Sequence, residues 1–479
     1  MDETSQPIEL LLAVSRDAPR TLGAQIEDQL RCAIRDGILR AGARVPSTRD
    51  LARQLGVSRR IAVDAYAQLA AEGYLSLRQG ARPRVSGAPG VARAAGAGAA
   101  AALAPPAAPA VRFDFRPSGP DVSMFPRGAW LHSLREALAT MTDADLTYGA
   151  VLGVEPLRVA LAEYLGRVRG VVAEPAQVVV THGYSQGLAL ACRALAAAGA
   201  TRIALEDPTW PEQGEIAERA GLQTVAVSVD DAGIRVDELA RTDADAVILT
   251  PAHQHPTGVV LSGARRTQLL AWLRDRDAVA IEDDYDAEYR YDRAAVGSLQ
   301  GRDPERVVYA GSVSKTLTPA LRLGWLVVPP RLLPAIAHEK LLADHGNGRI
   351  EQHAMADFLT RGELDRHLRR MRVRYRARRD AFAEVLAEEL PDADVCGIAA
   401  GLHATVRLPA GDDEQAILDE ARRRGVGLES LAHYRLRERA DPPTLILGYA
   451  QVPEATIRAG VRELAAAVRA ARTTGAAAR

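Results

Sequence analysis

Residues 88–110 read APGVARAAGAGAAAALAPPAAPA, and that stretch constrains the chain more than any other. Ala, Gly and Pro displace charged and aromatic residues, so it cannot bury a core and reads as a linker. Gly96, Gly98 and the Pro105–Pro106 pair oppose a long helix through its alanine run. The chain is therefore two parts, 1–87 and 111–479, each building its own core. With 47% hydrophobic and 25% charged residues, the composition is that of ordinary globular protein. Cys32, Cys192 and Cys396 are scattered without metal spacing, which fits a reduced, cytoplasmic protein with no metal site. The polar start MDETSQPIEL is no signal peptide, and no run is apolar enough to span a membrane.

The first part reads as mostly helical with a short β tail. Over 21–40, Leu22, Ile26, Leu30, Ile34 and Ile38 recur at four-residue steps, one face of a helix that Gly42 and Pro46 break. Ser47 and Asp50 form a capping-box start for a short helix that turns Leu51, Ala52 and Leu55 inward. Gly56 ends it. Ser58 caps the next helix, which carries Arg59 and Arg60 in its first turn and Ala62, Ala65, Tyr66 and Leu69 inward. Gly73 stops that helix, and YLSLRQGARPRVS alternates and turns at Gly80 as a hairpin does.

Two short helices joined at Gly56-Val57-Ser58 fit a helix-turn-helix, in which the start of the second helix reaches base edges. Candidate DNA contacts are Arg44, Ser47, Thr48, Arg49, Ser58, Arg59 and Arg60, with Arg78, Arg82 and Arg84 on the hairpin as a wing. Residues 20–87 hold twelve arginines against six acidic residues, on a chain whose formal charge is -1. That suits an anionic partner at this end only or, more plainly, a solvated arginine-rich surface.

The second part alternates helical stretches with the apolar strands QVVVTHG, RIALEDP, LQTVAVSVD, DAVILTP, AVAIEDDY, RVVYAGS and GWLVVPP. This implies an α/β domain on a mainly parallel sheet. Towards the C-terminus fewer strands, HATVRLP and TLILGYA, imply a smaller α+β domain.

Five pieces of this part bear on chemistry. In GSVSKTLTPALRLGW, Lys315 follows a strand and a serine-rich turn, where an enclosed amine can lose its proton and form a Schiff base with an aldehyde. Ser312, Ser314 and Arg322 lie where they can reach an anion. Lys315 and Lys340 are the only lysines, so keeping one here is informative. AVAIEDDYDAEY ends a strand in acids and a tyrosine, which suits a pyridine nitrogen and a ring oxygen, a metal, or a solvated loop. Gly183-Tyr184-Ser185-Gln186 passes from strand to helix, a place for phosphate. Trp210 can stack on a ring, and Pro256-Thr257-Gly258 is a tight turn.

The run VPSTRDLARQLGVSRRIAVDAYAQLAAEGYLSLRQG resembles the winged helix of the GntR family of bacterial regulators, over roughly 20–86. The order Gly183, Trp210, Pro256, Asp283, Lys315 resembles fold-type I pyridoxal-phosphate (PLP) enzymes of the aspartate aminotransferase superfamily, over about 111–465. A fusion of the two is similar to the MocR subfamily, whose PdxR-like members, regulators of vitamin B6 supply, are the nearest type. HQHPTG, EDDYDAEYRYD and SVSKTLTPALRLGW are particularly like it. The resemblance implies a large subdomain over about 165–365 and a small one from 111–164 and 366–479.

It further implies Lys315 as the Schiff-base lysine, Asp283 at the pyridine nitrogen and Tyr285 at the ring oxygen. Asp284 competes with Asp283, because neighbours on a strand point oppositely. Tyr184, Ser185, Ser312, Ser314 and Arg322 would hold the phosphate, and Trp210 would stack. Tyr148 resembles a tyrosine that reaches the partner's phosphate in a head-to-tail homodimer. Two positions depart from the superfamily. His255 stands where Asn often bonds the ring oxygen, and Ile446 stands near the arginine that clamps a substrate α-carboxylate. The implied function is a regulator that binds an operator in double-stranded DNA and senses PLP or a PLP–amine adduct, controlling vitamin B6 or amino-acid genes. A working aminotransferase with a DNA-binding arm is the alternative, and a structural dimer that no longer binds PLP a third.

Overall fold

A computed structural model describes residues 12–78, 81–86, 111–117, 119–291, 296–397, 399–439 and 441–477. The 88–110 segment and the turn at Gly80 lie outside the described residues. The chain divides into two units, Met1–Ala108 and Pro109–Arg479.

In the first unit, α1 (Leu22–Arg35), α2 (Thr48–Leu55) and α3 (Arg59–Ala71) precede a hairpin of β1 (Leu75–Ser76) and β2 (Arg84–Val85). Ile26, Leu30, Leu51, Ala52, Ala62, Ala65, Tyr66 and Leu69 are buried together, and Leu75 and Val85, opposite each other in the hairpin, join them. Ser47 accepts from the Asp50 N–H at 3.2 Å and donates to its carboxylate at 2.7 Å, which starts α2. Gly56, left-handed at φ 63°, ends it.

The helix expected over 21–40 stops at Arg35. Gly37 takes φ 76°, turning Ile38 outward to 73% exposure while Leu39 enters the core. The four-residue spacing thus runs one step beyond the helix it marks.

The second unit begins with β3 (Phe113–Asp114). Its large sheet holds β4 (Val178–Thr181), β5 (Arg202–Asp207), β6 (Gln223–Asp230), β7 (Gly233–Ile234), β8 (Ala246–Leu249), β9 (Val279–Asp284), β10 (Val307–Ser312) and β11 (Gly324–Val327). Among the described residues the order is β4-β11-β10-β9-β8-β5-β6-β7. Neighbours from β10 through β6 pair parallel, while β11 is antiparallel to both β10 and β4. β4 therefore points the same way as the parallel strands. The carboxyl ends of β4, β5, β8, β9 and β10 meet at one edge, where open α/β sheets take ligands.

β4, β8 and β11 are buried at every residue, as strands covered on both faces must be. Successive residues feed opposite cores: Val247 and Leu249 pack with Leu269 and Leu273, Ile248 with Leu188 and Ile281.

The smaller sheet is antiparallel, formed by β12 (Asp394–Cys396), β13 (His403–Arg407), β15 (Glu429–Ser430) and β16 (Thr444–Gly448). β14 (Val426–Gly427) pairs parallel with β3, so the entry of the second unit joins its C-terminal portion. The helices Arg127–Thr140 and Glu155–Arg169 instead pack on the helix Arg349–Thr360. Among the described residues no helix is long and apolar enough to cross a membrane.

Candidate functional site

The strand ends open into a cavity of about 420 Å³, a size typical of one small-molecule pocket. Tyr184, Ser185, Trp210, His255, Asp283, Tyr285, Ser312, Ser314, Lys315 and Arg322 all line it. Ten side chains picked from five separate segments thus converge on one space. Tyr148 does not line it and is 94% exposed.

One end of the cavity is built as an anion cradle. The helix Gly183–Ala197 starts directly after β4 and presents its unpaired N–H groups there. Gly183 has φ 76°, and a Cβ on it would stand 3.4 Å from the Arg322 guanidinium. A Cβ on Gly324 would lie 2.8 Å from the Gly183 Cα, so β11 approaches the helix start more closely than a side chain allows. Arg322 donates to the His182 carbonyl at 3.1 Å, and Ser312 accepts from the Ser314 N–H at 3.4 Å.

The amine stands beside acids. Enclosure pushes Lys315 below its ordinary 10.5, while the carboxylates of Asp286, Asp283 and Glu429 pull the other way. Burial holds Asp283 well above a normal carboxylate, and the charges of Asp284 and Asp286 add to this. The Asp283–Asp284 ambiguity has a geometric resolution. Asp283 lines the cavity. Asp284 faces away, accepting from Arg169 Nε at 2.6 Å and from the Tyr309 hydroxyl at 2.7 Å. Behind Tyr285 stands a second acid: its hydroxyl lies 2.9 Å from His253 Nδ1, which lies 3.0 Å from Asp286. His255 is pushed down to about 3, first by burial and then by the charges of Lys315 and His253, so its ring is neutral at pH 7. Tyr184 accepts from Gln213 at 2.9 Å, and its ring tilts against Trp210 at 6.2 Å.

Sequence reasoning missed several of these groups. Arg169, His253, Asp286, His403, Arg116 and Glu429 are each drawn in by tertiary packing. One signal was available: strand alternation puts Asp284 opposite Asp283, which demands a buried cation. Lysine scarcity proves less selective than it looks. Lys340 is also fully buried, paired with Asp344 at 2.9 Å and Asn347 at 2.6 Å. Ile446 is buried against Leu431 and Tyr434, an apolar contact.

In the first unit, Arg44, Arg49, Ser58, Arg59, Arg60, Arg78, Arg82 and Arg84 are exposed, and Ser47 and Thr48 are half-buried by their capping positions. Arg44 bridges Arg84 backbone to backbone, which ties the α2 approach to the wing. The Asp50 carboxylate is held low first by the Ser47 hydroxyl, with Arg53 and Arg82 contributing.

A lysine amine, a buried carboxylate, a tyrosine hydroxyl and a serine–arginine cradle around one cavity fit PLP in chemistry and order. Comparison with known proteins agrees. Residues 125–460 match the aminotransferase class I and II family, and residues 22–85 match the gntR family of bacterial regulatory proteins. The chain is 32% identical to the HTH-type pyridoxine biosynthesis transcriptional regulator PdxR of Corynebacterium glutamicum, over 96% of this chain and 99% of that one. It is 32% identical to the probable rhizopine catabolism regulatory protein MocR of Rhizobium meliloti, over 97% of each. Among solved structures, the multiple substrate aminotransferase of Thermococcus profundus superposes with a TM-score of 0.70 at 27% identity, covering 77% of this chain and 93% of that one.

Proposed function

This chain belongs to the gntR-type transcriptional regulators that carry an aminotransferase class I and II domain, and from that premise we propose that it is a PLP-sensing repressor or activator of its own target genes. The observation that carries the reading is the shared cavity. Lys315, Asp283, Tyr285 and the Ser312–Ser314–Arg322 cradle line one space at the carboxyl edge of the sheet.

Bound PLP supplies an aldehyde for an amine and a ring that withdraws electrons when its nitrogen is protonated. Lys315 is the residue for the aldehyde, its amine held in a depressed range by enclosure. Asp283 would face the ring nitrogen and Tyr285 the ring oxygen. Tyr184, Ser185, Ser312, Ser314 and Arg322 would hold the phosphate, and Trp210 would cover the ring. His255, neutral and half-buried, orients rather than charges the site. The winged helix uses Arg59 and Arg60 in the major groove, the Arg44–Arg49 stretch on backbone, and Arg78 and Arg82 on the wing. A head-to-tail homodimer would present Tyr148, exposed here, to the partner's cradle. A ligand regulates only if it binds two arrangements of the dimer unequally. Vitamin B6 or amino-acid genes are the natural targets, in the cytoplasm.

Transamination is the weaker reading, because Ile446 offers no fork for an α-carboxylate. The test is Lys315→Ala with PLP added. We expect complete loss of the visible-edge absorbance, unchanged far-ultraviolet circular dichroism, and no lysine trapped by borohydride in peptide mapping. An unchanged spectrum would remove Lys315 from the site.

A further inference from the structure

The cavity end away from the phosphate cradle has an unusual balance of charge. β15 pairs with β16 so that Glu429 stands directly opposite Ile446. Glu429 lines the cavity, and the Tyr434 hydroxyl donates to its carboxylate and fixes it. Its charge reaches Lys315 and opposes the lowering that enclosure causes there. Glu212 lines the same end from the exposed start of a helix, where solvent screens it.

The cations near these acids have nearer partners. Arg116 lines the cavity and gives its Nε and Nη2 to Asp114 at 2.8 and 2.6 Å, with the Glu429 charge a smaller influence on it. Arg322 belongs to the cradle, bonded to the His182 carbonyl. His255 and His403 line the cavity as neutral rings, the first pushed to about 3 and the second well below 6.5 by burial. His403 is further fixed at 3.0 Å from the Pro256 carbonyl. His433 stands exposed at the rim, edge-on to Tyr434 at 5.3 Å.

We infer that this end of the cavity selects an amine carrying a second positive charge, a diamine, over an α-amino acid, with Glu429 as the acceptor of that charge. The inference rests on the reading of Lys315 and PLP above and names the effector class of that same site. A diamine can direct one nitrogen to the cofactor end and the other to Glu429, a charge-assisted hydrogen bond in a partly desolvated place. An α-amino acid brings a carboxylate to Tyr434 and a fixed acid, where like charge repels it. Glu429 acts on specificity and does not touch the reacting atoms.

The test uses full-length protein loaded with PLP, titrated with 1,4-diaminobutane, n-butylamine and L-2-aminobutyrate while the visible-edge absorbance is followed. The diamine should reach half-saturation at a concentration about tenfold or more below the monoamine, with the amino acid weakest. Glu429→Gln should bring diamine and monoamine to within about threefold of each other while the cofactor band persists. In the unaltered protein, raising ionic strength should shrink the diamine preference, a readout that needs no variant. An amino acid that binds as well as the diamine overturns the inference, and Arg116→Ala then shows whether that arginine clamps its carboxylate. A diamine preference that survives in Glu429→Gln overturns it too. Failure of the underlying reading looks different: the protein shows no cofactor band before any amine is added, and both fall together.

Discussion

The two units solve the problem of charge in opposite ways. The first keeps its arginines outside: Arg44, Arg49, Arg59, Arg60, Arg78, Arg82 and Arg84 are all exposed around a core of aliphatic residues and Tyr66, whose hydroxyl donates to the Pro46 carbonyl at 2.9 Å. The second draws charge inward: Glu206, Glu282, Asp283, Asp284, Asp286, Arg169 and Lys340 are buried. An exposed charge is cheap, screened and available to a polyanion. A buried one must be paired or neutralised, and the groups that do so fix where a small ligand's atoms can go. A surface suited to a polyanion and a cavity suited to a small ligand are the two uses of that difference.

The largest test of the contrast is Arg169→Leu. Arg169 and Asp284 are 1% and 2% exposed at their side chains, and their 2.6 Å contact is backed by Tyr309. Removing one member leaves a buried carboxylate without its cation, at a loss of about 3–5 kcal/mol. Calorimetry should show the second unit's transition falling while the first unit's stays. If both shift together, the units are coupled and the contrast is too sharply drawn.

Glu206→Gln comes next. Glu206 accepts from the Thr250 N–H at 2.9 Å and hydroxyl at 2.7 Å, and burial pushes it from 4.5 up to about 7. Below pH 4.5 folded and unfolded chains both hold the proton. Between 4.5 and about 7 the unfolded chain releases it and the folded chain does not, so stability falls as pH rises. Glutamine stays neutral throughout. The variant should gain on the parent across that window, by on the order of 3 kcal/mol at pH 8. Parallel pH–stability curves for the two proteins would mean that Glu206 does not titrate there.

Arg59→Ala probes the exposed side. At the start of α3 it should weaken operator binding by about 1–3 kcal/mol, with the second unit's melting and cofactor band unchanged. Operator affinity equal to the parent's in a gel-shift titration would take the start of α3 out of the interface.

Legibility in the sequence follows the same division. Local rules sufficed where local chemistry decides. Ser47–Asp50, Gly56, Ser58 and the inward row Ala62, Ala65, Tyr66 and Leu69 are where spacing and capping put them. The seven apolar runs are strands; continuous runs such as QVVVT and AVIL suit a sheet covered on both faces, while LQTVAVSVD makes the half-buried β6. Ile38 escaped because Gly37 breaks the helix before its periodicity ends. In the site, each of the five segments announced its own residues near a strand end. Their supports, Arg169 for Asp284 and His253, which joins Tyr285 to its neighbour Asp286, come from segments far apart in the chain. No periodicity encodes such partners; only the demand that buried charge be satisfied points to them.

Ser47→Ala should give the smallest effect and the finest test. The Ser47 hydroxyl caps α2 and is the first cause of the low Asp50 carboxylate, so one substitution removes both a backbone partner and an acid's partner. Loss of such a cap costs about 1 kcal/mol. Asp50 adds a pH signature. Its folded value lies below 3.8, so its share of stability is present above 3.8 and lost as pH falls through the lowered value. The gap between parent and variant in the first unit's melting should therefore be widest near neutrality and narrow in acid. The second unit has no part in this pair, so its transition should not move. A gap that stays constant down to pH 2 would leave the backbone cap as the whole effect, and would show that even the exposed unit's one capping acid contributes nothing through its charge.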